Sequence, residues 1–186
     1  MRKLIMWDLI TLEGFFEGTK SWDLDFHKYA WGEELEQLTT EQLKSVGILL
    51  FGRVTYGGMA SYWSTQKGEK ADFMNSLPKL VFSRMLEKAD WTNSRLIKEN
   101  AVEEVKKLKQ ESGKDMFIFG SADLSDTFLQ AELVDEIRVC IVPVVLGSGN
   151  PLFKHNLSKL KLKLLESRPL KTGGVILRYE PERVSS

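Results

Sequence analysis

The sequence contains little cysteine and little histidine. Its 186 residues include one cysteine, Cys140, and two histidines, His27 and His155. A single cysteine excludes an intrachain disulfide framework and a cysteine-based metal cluster, and it favours a reducing compartment. The two histidines are far apart and do not form a His-Glu-x-x-His motif, which excludes a zinc hydrolase of that type. We therefore expect no bound metal ion.

An excess of charge of either sign is also absent. Lysine and arginine together number 26, as do aspartate and glutamate, so no overall field attracts nucleic acid or anionic lipid. No apolar run approaches the ~20 residues of a membrane-spanning helix. The first apolar stretch is too short for a signal peptide and ends at Asp8. These absences predict a cytoplasmic protein that binds neither nucleic acid nor a membrane.

The composition is that of a globular protein, with 42% hydrophobic and 28% charged residues. The length favours a single domain over residues 1–186. Apolar runs alternate with amphipathic stretches, which is typical of an α/β fold. The predicted strands are 3–10, 47–51, 79–83, 95–98, 116–119, 134–142, 160–167 and 175–179. The predicted helices are 26–46, with a break near Thr39-Thr40, 54–62, 101–112 and 122–131.

The last third of the chain differs from the rest. No convincing helix separates its last two predicted strands, and Lys171-Thr172-Gly173-Gly174 is typical of a hairpin loop. Polar loops are predicted at 64–70 and 147–156. Asn100 and Glu103 resemble a capping box, which predicts a helix start at 101. The sequence thus predicts an α/β body that ends in an antiparallel hairpin.

Three predicted strands end in residues suited to binding anions. Gly52-Arg53-Val54-Thr55 and Gly120-Ser121-Ala122 each join a strand to a helix whose first N–H groups are free to bind phosphate, and Ser121 can cap the second helix. Ser83-Arg84 supplies a hydroxyl and a guanidinium. Each site alone has a simpler interpretation, as an ordinary turn or an exposed arginine. Together, at one edge of a parallel sheet, they predict a dinucleotide site.

Other nucleotide and nucleophile motifs are missing. Gly147-Ser148-Gly149 is followed by Asn150-Pro151 and not by a helix, so it is not a Rossmann fingerprint. There is no Gly-x-x-x-x-Gly-Lys-Ser/Thr loop, and no serine lies in a Gly-x-Ser-x-Gly setting. A Rossmann dehydrogenase, a P-loop ATPase and a serine esterase are therefore disfavoured.

The segment from 13 to 31 combines aromatic rings with carboxylates and His27. Its aromatic residues are Phe15, Phe16, Trp22, Phe26, Tyr29 and Trp31. Rings and carboxylates together suit a flat heteroaromatic ligand. Aromatic residues that fill the core, with acids in solvent, are the competing interpretation.

Six short motifs carry a resemblance to a known family. They are Thr11-Leu12-Glu13-Gly14-Phe15, Phe51-Gly52-Arg53-Val54-Thr55-Tyr56, Leu80-Val81-Phe82-Ser83-Arg84, Ile118-Phe119-Gly120-Ser121, Leu133-Val134-Asp135-Glu136-Ile137 and Pro143-Val144-Val145-Leu146-Gly147-Ser148-Gly149. Over residues 3–180 they resemble the dihydrofolate reductase-like superfamily, most closely the reductase domain of the bifunctional riboflavin-biosynthesis deaminase-reductase. The resemblance implies a three-layer α/β fold with a mixed, mostly parallel sheet and a C-terminal antiparallel hairpin. It also implies NADPH as cofactor and a homodimer.

The resemblance and the aromatic segment together suggest the site residues. The expected cofactor-binding residues are Phe16, Glu17, Gly52, Arg53, Val54, Thr55, Ser83, Arg84, Gly120, Ser121 and Ala122, with Ser83 and Arg84 at the adenosine 2′-phosphate. The expected substrate-binding residues are Glu13, Trp22, His27, Leu146 and Gly147. The expected catalytic residues are Asp23 and Asp25, as proton donors, with ordered water as the alternative.

Departures from the family pattern narrow the expected function. Ser121 replaces the second glycine of a common pair, and no deaminase zinc motif is present. The residues after Ser21-Trp22 also do not match the substrate acid of dihydrofolate reductases, which argues against dihydrofolate as substrate. We expect an NADPH-dependent reductase of a small heterocycle, such as a pyrimidine of riboflavin biosynthesis or a pterin. The alternative is a non-catalytic nucleotide- or pterin-binding protein that retains the fold.

One apolar run supports the homodimer. Residues 139–145 are almost entirely apolar in a region predicted to lack helices on one face of the sheet. A buried central strand has the same composition and is the competing interpretation.

Overall fold

The computed structural model describes residues 1–155 and 157–182. The strands are β1 (Leu4–Thr11), β2 (Phe15–Glu17), β3 (Val46–Gly52), β4 (Lys79–Phe82), β5 (Ser94–Ile97), β6 (Asp115–Phe119), β7 (Glu136–Val142), β8 (Asn150–Pro151), β9 (Leu162–Pro169) and β10 (Val175–Pro181). The α-helices are α1 (Glu33–Ser45), α2 (Arg53–Trp63), α3 (Glu69–Ser76), α4 (Ala101–Gln110) and α5 (Ala122–Gln130). A short 3-10 helix spans Asp25–Tyr29.

Eight strands form one mixed sheet in the order β5-β4-β3-β6-β1-β7-β10-β9. The first six of these strands run parallel to one another. β10 is antiparallel to both β7 and β9. The predicted mostly parallel sheet with a C-terminal antiparallel hairpin is therefore confirmed. β2 and β8 form a separate antiparallel pair.

Helices cover both faces of the sheet because its parallel strands are apolar on both sides. On β1, Met6 and Ile10 face the core shared with α4 and α5, whereas Ile5 faces the core shared with α2 and α3. Leu9 packs in a third cluster that includes Leu35 of α1. The strands thus form the central layer of three. Among the described residues, no helix is long and apolar enough to cross a membrane.

The prediction of one interrupted helix over 26–46 was wrong. A 3-10 helix over 25–29 precedes α1, which starts after Gly32 and continues past the threonine pair without a break. The hydroxyls of Thr39 and Thr40 both donate to the Glu36 carbonyl oxygen, so they are satisfied inside the helix. α3 and the short strands β2 and β8 were not predicted. Asn156, the last residue of the predicted loop 147–156, and residues 183–186 of the predicted domain lie outside the described residues.

Both predicted side-chain caps were also wrong. Asn100 and Ser121 precede α4 and α5 with φ angles of 56° and 60°, and neither side chain caps its helix. In this left-handed conformation the residue does not have the extended backbone of a usual N-cap. The Ser121 hydroxyl instead accepts a hydrogen bond from the Gly52 N–H at 2.8 Å.

The apolar run over 139–145 does not form an exposed face. β7 lies between β1 and β10, and Val139, Cys140 and Val142 are buried. Pro143 and Val145, beyond the end of the strand, are the exposed members of the run. The competing interpretation, a buried central strand, is therefore the one that the structure supports, because β7 has a neighbouring strand on each side.

Candidate functional site

A cavity of about 1280 Å³ opens along the carboxyl-terminal edge of the parallel strands. The residues at or next to the ends of β3, β4, β5 and β6 line it, as does the middle of β1. All eleven predicted cofactor residues line this cavity, namely Phe16, Glu17, Gly52, Arg53, Val54, Thr55, Ser83, Arg84, Gly120, Ser121 and Ala122. The motifs that resemble a dinucleotide site are therefore neighbours in space.

The starts of α2 and α5 meet in one part of the cavity. The hydrogen bond from the Gly52 N–H to the Ser121 hydroxyl ties the two strand-to-helix turns together. Neither helix has a side-chain cap, so N–H groups of both first turns are available to an anion. A Cβ on Gly120 would lie 3.3 Å from Thr55 Cγ2, so the two turns are closely packed. This arrangement suits a diphosphate.

Basic side chains lie beside these turns. Arg84 lines the cavity and has no ion-pair partner among the described residues, and the Ser83 hydroxyl accepts the N–H groups of Met85 and Leu86, each at 3.1 Å. Lys98 lines the same cavity and was missed by the sequence analysis. The sequence contained a sign of this position, because Lys98 directly follows β5 in the same way that Ser83 directly follows β4. The two basic residues, Arg84 and Lys98, suit a phosphate monoester.

The segment after β1 closes the other part of the cavity. Glu17 accepts hydrogen bonds from the Trp22 N–H and from Asn150 Nδ2, both at 2.8 Å. Trp22 has a φ of 68°, which is costly for a bulky residue. Its indole packs on Gly58 of α2 so closely that a Cβ there would lie 2.4 Å from the ring. Glu17 therefore positions the segment, and Trp22 forms part of the cavity wall.

His27 also lines this part of the cavity. Burial lowers the pKa of its imidazole to about 4, so the side chain is neutral at neutral pH. Its Nε2 atom is buried and has no hydrogen-bond partner among the described residues. The surrounding wall includes Trp31, Tyr62 and Trp63. A neutral imidazole among aromatic rings suits a flat, polar ring as ligand.

Five predicted site residues do not line the cavity. The Glu13 carboxylate accepts the N–H groups of Leu146 and Gly147 at 2.7 and 2.9 Å, so these three residues contact one another outside it. The backbone oxygen of Asp23 accepts the Gly18 N–H, and Asp25 is exposed at the start of the 3-10 helix. Neither aspartate lines the cavity. The structure therefore does not place either of them where it could donate a proton to a ligand in the cavity.

The sequence analysis missed Asp8 as a candidate site residue. Asp8 lies on β1, lines the cavity and is only 5% exposed. Burial raises the pKa of its carboxyl well above the usual range, and a hydrogen bond from the Gly120 N–H partly opposes this shift. The sequence did contain a sign of this role. Asp8 is a charged residue on a predicted strand, and its neighbours on the same face, Met6 and Ile10, are apolar and lie in the core.

Comparison with known proteins identifies the family. A family model described as the RibD C-terminal domain matches residues 2–176. The chain belongs to this family. Uncharacterized protein YyaP from Bacillus subtilis (strain 168) is 34% identical over 185 residues, which cover 96% of this chain and 94% of YyaP. Membership confirms the resemblance seen in the motifs.

Solved structures with low sequence identity share the fold. A Shewanella sp. PV-4 protein whose name refers to riboflavin biosynthesis has a TM-score of 0.80 at 21% identity, covering 97% of this chain and 99% of that chain. A diaminohydroxyphosphoribosylaminopyrimidine deaminase/5-amino-6-(5-phosphoribosylamino)uracil reductase from Thermotoga maritima has a TM-score of 0.67 at 13% identity, covering 97% of this chain and 56% of that chain. Dihydrofolate reductase from Enterococcus faecalis, complexed with NADP(H), has a TM-score of 0.65 at 13% identity, covering 97% of both chains. The fold is dihydrofolate reductase-like, as predicted.

Proposed function

We propose that this member of the RibD C-terminal domain family is an NADPH-dependent reductase of a small nitrogen heterocycle. A pyrimidine of riboflavin biosynthesis, a pterin or a similar compound is the proposed substrate. The observation that carries the proposal is the single cavity that joins all eleven predicted cofactor residues to Trp22 and His27. The RibD family match and the likeness to a uracil reductase and to a dihydrofolate reductase support it.

The residues on one side of the cavity fit the phosphates of NADPH. N–H groups at the uncapped starts of α2 and α5 would hold the diphosphate. Arg84 and Lys98 would hold the 2′-phosphate through charge-assisted hydrogen bonds. When bound, NADPH supplies the hydride, so the protein mainly has to orient the two reactants.

Residues on the other side of the cavity fit a flat, uncharged ring. Trp22 and Trp31 offer stacking surfaces, and His27 offers a polar nitrogen without a net charge. Glu17 keeps this wall in place through its bonds to Trp22 and Asn150. Because Asp23 and Asp25 do not line the cavity, water entering it is the proposed source of the proton.

Steady-state kinetics with a substrate panel test this function. Purified protein is mixed with NADPH and, in turn, with pterins, ribitylated or phosphoribosylated pyrimidines and quinonoid compounds, and oxidation is followed by the loss of NADPH absorbance. We expect turnover with at least one heterocycle. Tight NADPH binding without turnover on any compound would instead favour the non-catalytic binding protein. Mass spectrometry of ligands that co-purify with the protein identifies compounds to add to the panel.

We also propose that the protein is a cytoplasmic homodimer. The apolar run in β7 is buried and no longer supports self-association, but the edge strand β9 exposes Leu164 and Leu165. An exposed edge strand that carries apolar side chains can pair with another chain. The cytoplasmic location remains a prediction from the single cysteine and the composition.

A further inference from the structure

Asp8 is a buried acid directly behind the turn that starts α5. The backbone N–H of Gly120 lies close enough to its carboxyl to lower the pKa, whereas one carboxyl oxygen, Oδ2, is buried without a hydrogen-bond partner in the described part of the chain. Buried polar atoms are nearly always paired, so an unpaired carboxyl oxygen next to an uncapped helix start requires an explanation.

The side chains packed around Asp8 contain no charge to compensate an ionised carboxylate. Its side chain lies on the same face of β1 as Met6 and Ile10. Val139 is its register partner on β7. The residues that α5 buries in this layer are Ala122, Leu124, Ser125, Phe128 and Leu129, none of which is titratable. A neutral acid suits this site better than a carboxylate.

Two acidic groups elsewhere in the cavity are already engaged. Asp123 of α5 pairs with Lys154 at 2.9 Å. Glu17 of β2 is held by Trp22 and Asn150. Neither pair supplies a free positive charge to Asp8. Three unpaired basic residues of the cavity, Arg53, Arg84 and Lys98, lie just beyond the ends of β3, β4 and β5, and among the described residues no ion pair joins any of them to Asp8. A proton on Asp8 itself is therefore what neutralises it.

We propose that Asp8 must be protonated for a diphosphate to bind tightly at the start of α5, so that loss of this proton weakens cofactor binding. The inference rests on the proposed function, because that function puts the cofactor diphosphate at this helix start. Asp8 is a positioning residue here. It acts through the Gly120–Ser121 turn and through its charge, and not by direct contact with the reacting atoms.

The direction of the pH effect follows from electrostatics. Below the raised pKa of Asp8 the carboxyl is neutral and does not oppose a bound anion. As the pH rises through that pKa, a buried negative charge forms behind the anion site, and repulsion between buried charges is weakly screened. Affinity for a diphosphate should therefore fall as the pH rises. By linkage, a bound diphosphate should raise the pKa of Asp8 further.

Calorimetric titration with ADP-ribose tests the inference without turnover. ADP-ribose carries the diphosphate but lacks the 2′-phosphate, whose own ionisation would complicate the pH profile. The titration is repeated at increasing pH over the range in which the protein stays folded. We expect wild-type affinity to fall about tenfold or more, which corresponds to about 1.4 kcal/mol. Adenosine, which lacks the diphosphate, should show no such fall.

Asp8→Asn is the decisive variant. Its amide oxygen can still accept the Gly120 N–H, whereas its side chain cannot ionise. We expect its affinity for ADP-ribose to stay constant over the same pH range. Ser125→Ala is the matched control, because Ser125 also has a buried and unpaired oxygen, faces the same layer and does not ionise. This control should keep the wild-type pH profile.

Each outcome either supports or overturns the inference. A constant affinity in the wild type, or a fall that persists in Asp8→Asn, overturns the role of Asp8 and leaves the proposed function standing. Failure of both proteins to bind ADP-ribose at any pH overturns the proposed cofactor site as well. If Asp8→Asn does not fold, wild-type titrations in two buffers of different ionisation enthalpy give the answer. Net proton uptake on binding at the upper end of the range supports the inference, and its absence there overturns it.

Discussion

At the scale of one residue, Arg84 should determine the choice between NADPH and NADH. Arg84 lines the cavity and has no ion-pair partner among the described residues, so its guanidinium is available to the 2′-phosphate that only NADPH carries. A hydrogen bond to a charged group contributes ~1.5–3 kcal/mol. Arg84→Ala should therefore lower NADPH affinity about tenfold or more and leave NADH affinity nearly unchanged. Fluorescence titration of the wild type and of Arg84→Ala with each cofactor measures these affinities.

Arg95→Ala is the control for that measurement. Arg95 is also a basic residue, near the start of β5, but it pairs with Glu104 and does not line the cavity. Its loss should leave the affinity for both cofactors unchanged. Equal losses of NADPH and NADH affinity in Arg84→Ala would contradict the role of Arg84 in distinguishing them.

At the scale of an element, two adjacent glycines of α2 should respond differently to the same substitution. Replacing glycine by alanine inside a helix stabilises the helix by ~0.5–1 kcal/mol. At Gly57 a new Cβ meets nothing within 4 Å, whereas at Gly58 it would lie 2.4 Å from the indole of Trp22. Gly58→Ala should therefore displace Trp22 and loosen the segment that contains the exposed residue Lys20.

Limited trypsin digestion with mass spectrometry measures this difference. We expect cleavage after Lys20 to be about tenfold faster in Gly58→Ala than in the wild type, because the opened segment is more populated. Gly57→Ala should be cleaved at the wild-type rate and melt slightly higher. NADPH affinity should stay within about threefold in both variants, because the helix starts and Arg84 hold the phosphates. Equal cleavage of the two variants would show that Trp22 does not hold the segment closed.

The elements that the sequence predicted correctly are those whose pattern is local. Alternating apolar runs and strand-end motifs were sufficient to predict the parallel strands and to group Gly52, Ser83 and Gly120 at one edge, whereas Phe16 and Glu17 were assigned from the family resemblance and the aromatic segment. The left-handed conformations of Asn100 and Ser121 were not predictable, because both residue types are also good N-caps. β2 and β8 are too short for a pattern, and their pairing depends on tertiary contacts. Asp8 was missed because its candidate role depends on its burial, which the residue type alone does not indicate.

At the scale of the whole molecule, the sheet has one edge whose surface favours association. β9 ends the sheet beside β10 and is exposed over most of its length. Leu164 and Leu165 on this strand are 52% and 45% exposed. Charged residues such as Lys163 and Glu166 flank them, which limits uncontrolled strand pairing while permitting one specific contact. An apolar centre with a polar rim is the usual composition of a protein interface.

Sedimentation velocity tests whether β9 forms the proposed dimer contact. At tens of micromolar the wild type should sediment as a dimer of the 21.3 kDa chain. Leu164→Lys combined with Leu165→Lys should shift it to the monomer, because two buried ammonium groups without partners would oppose association. Leu12→Lys is the matched control, since Leu12 is 70% exposed but lies after β1 and not on β9. A wild-type monomer at this concentration would contradict the dimer. A dimer that persists in the double variant would show that the contact lies elsewhere than on β9. An interface that buries both leucines would not tolerate two unpaired charges at these positions.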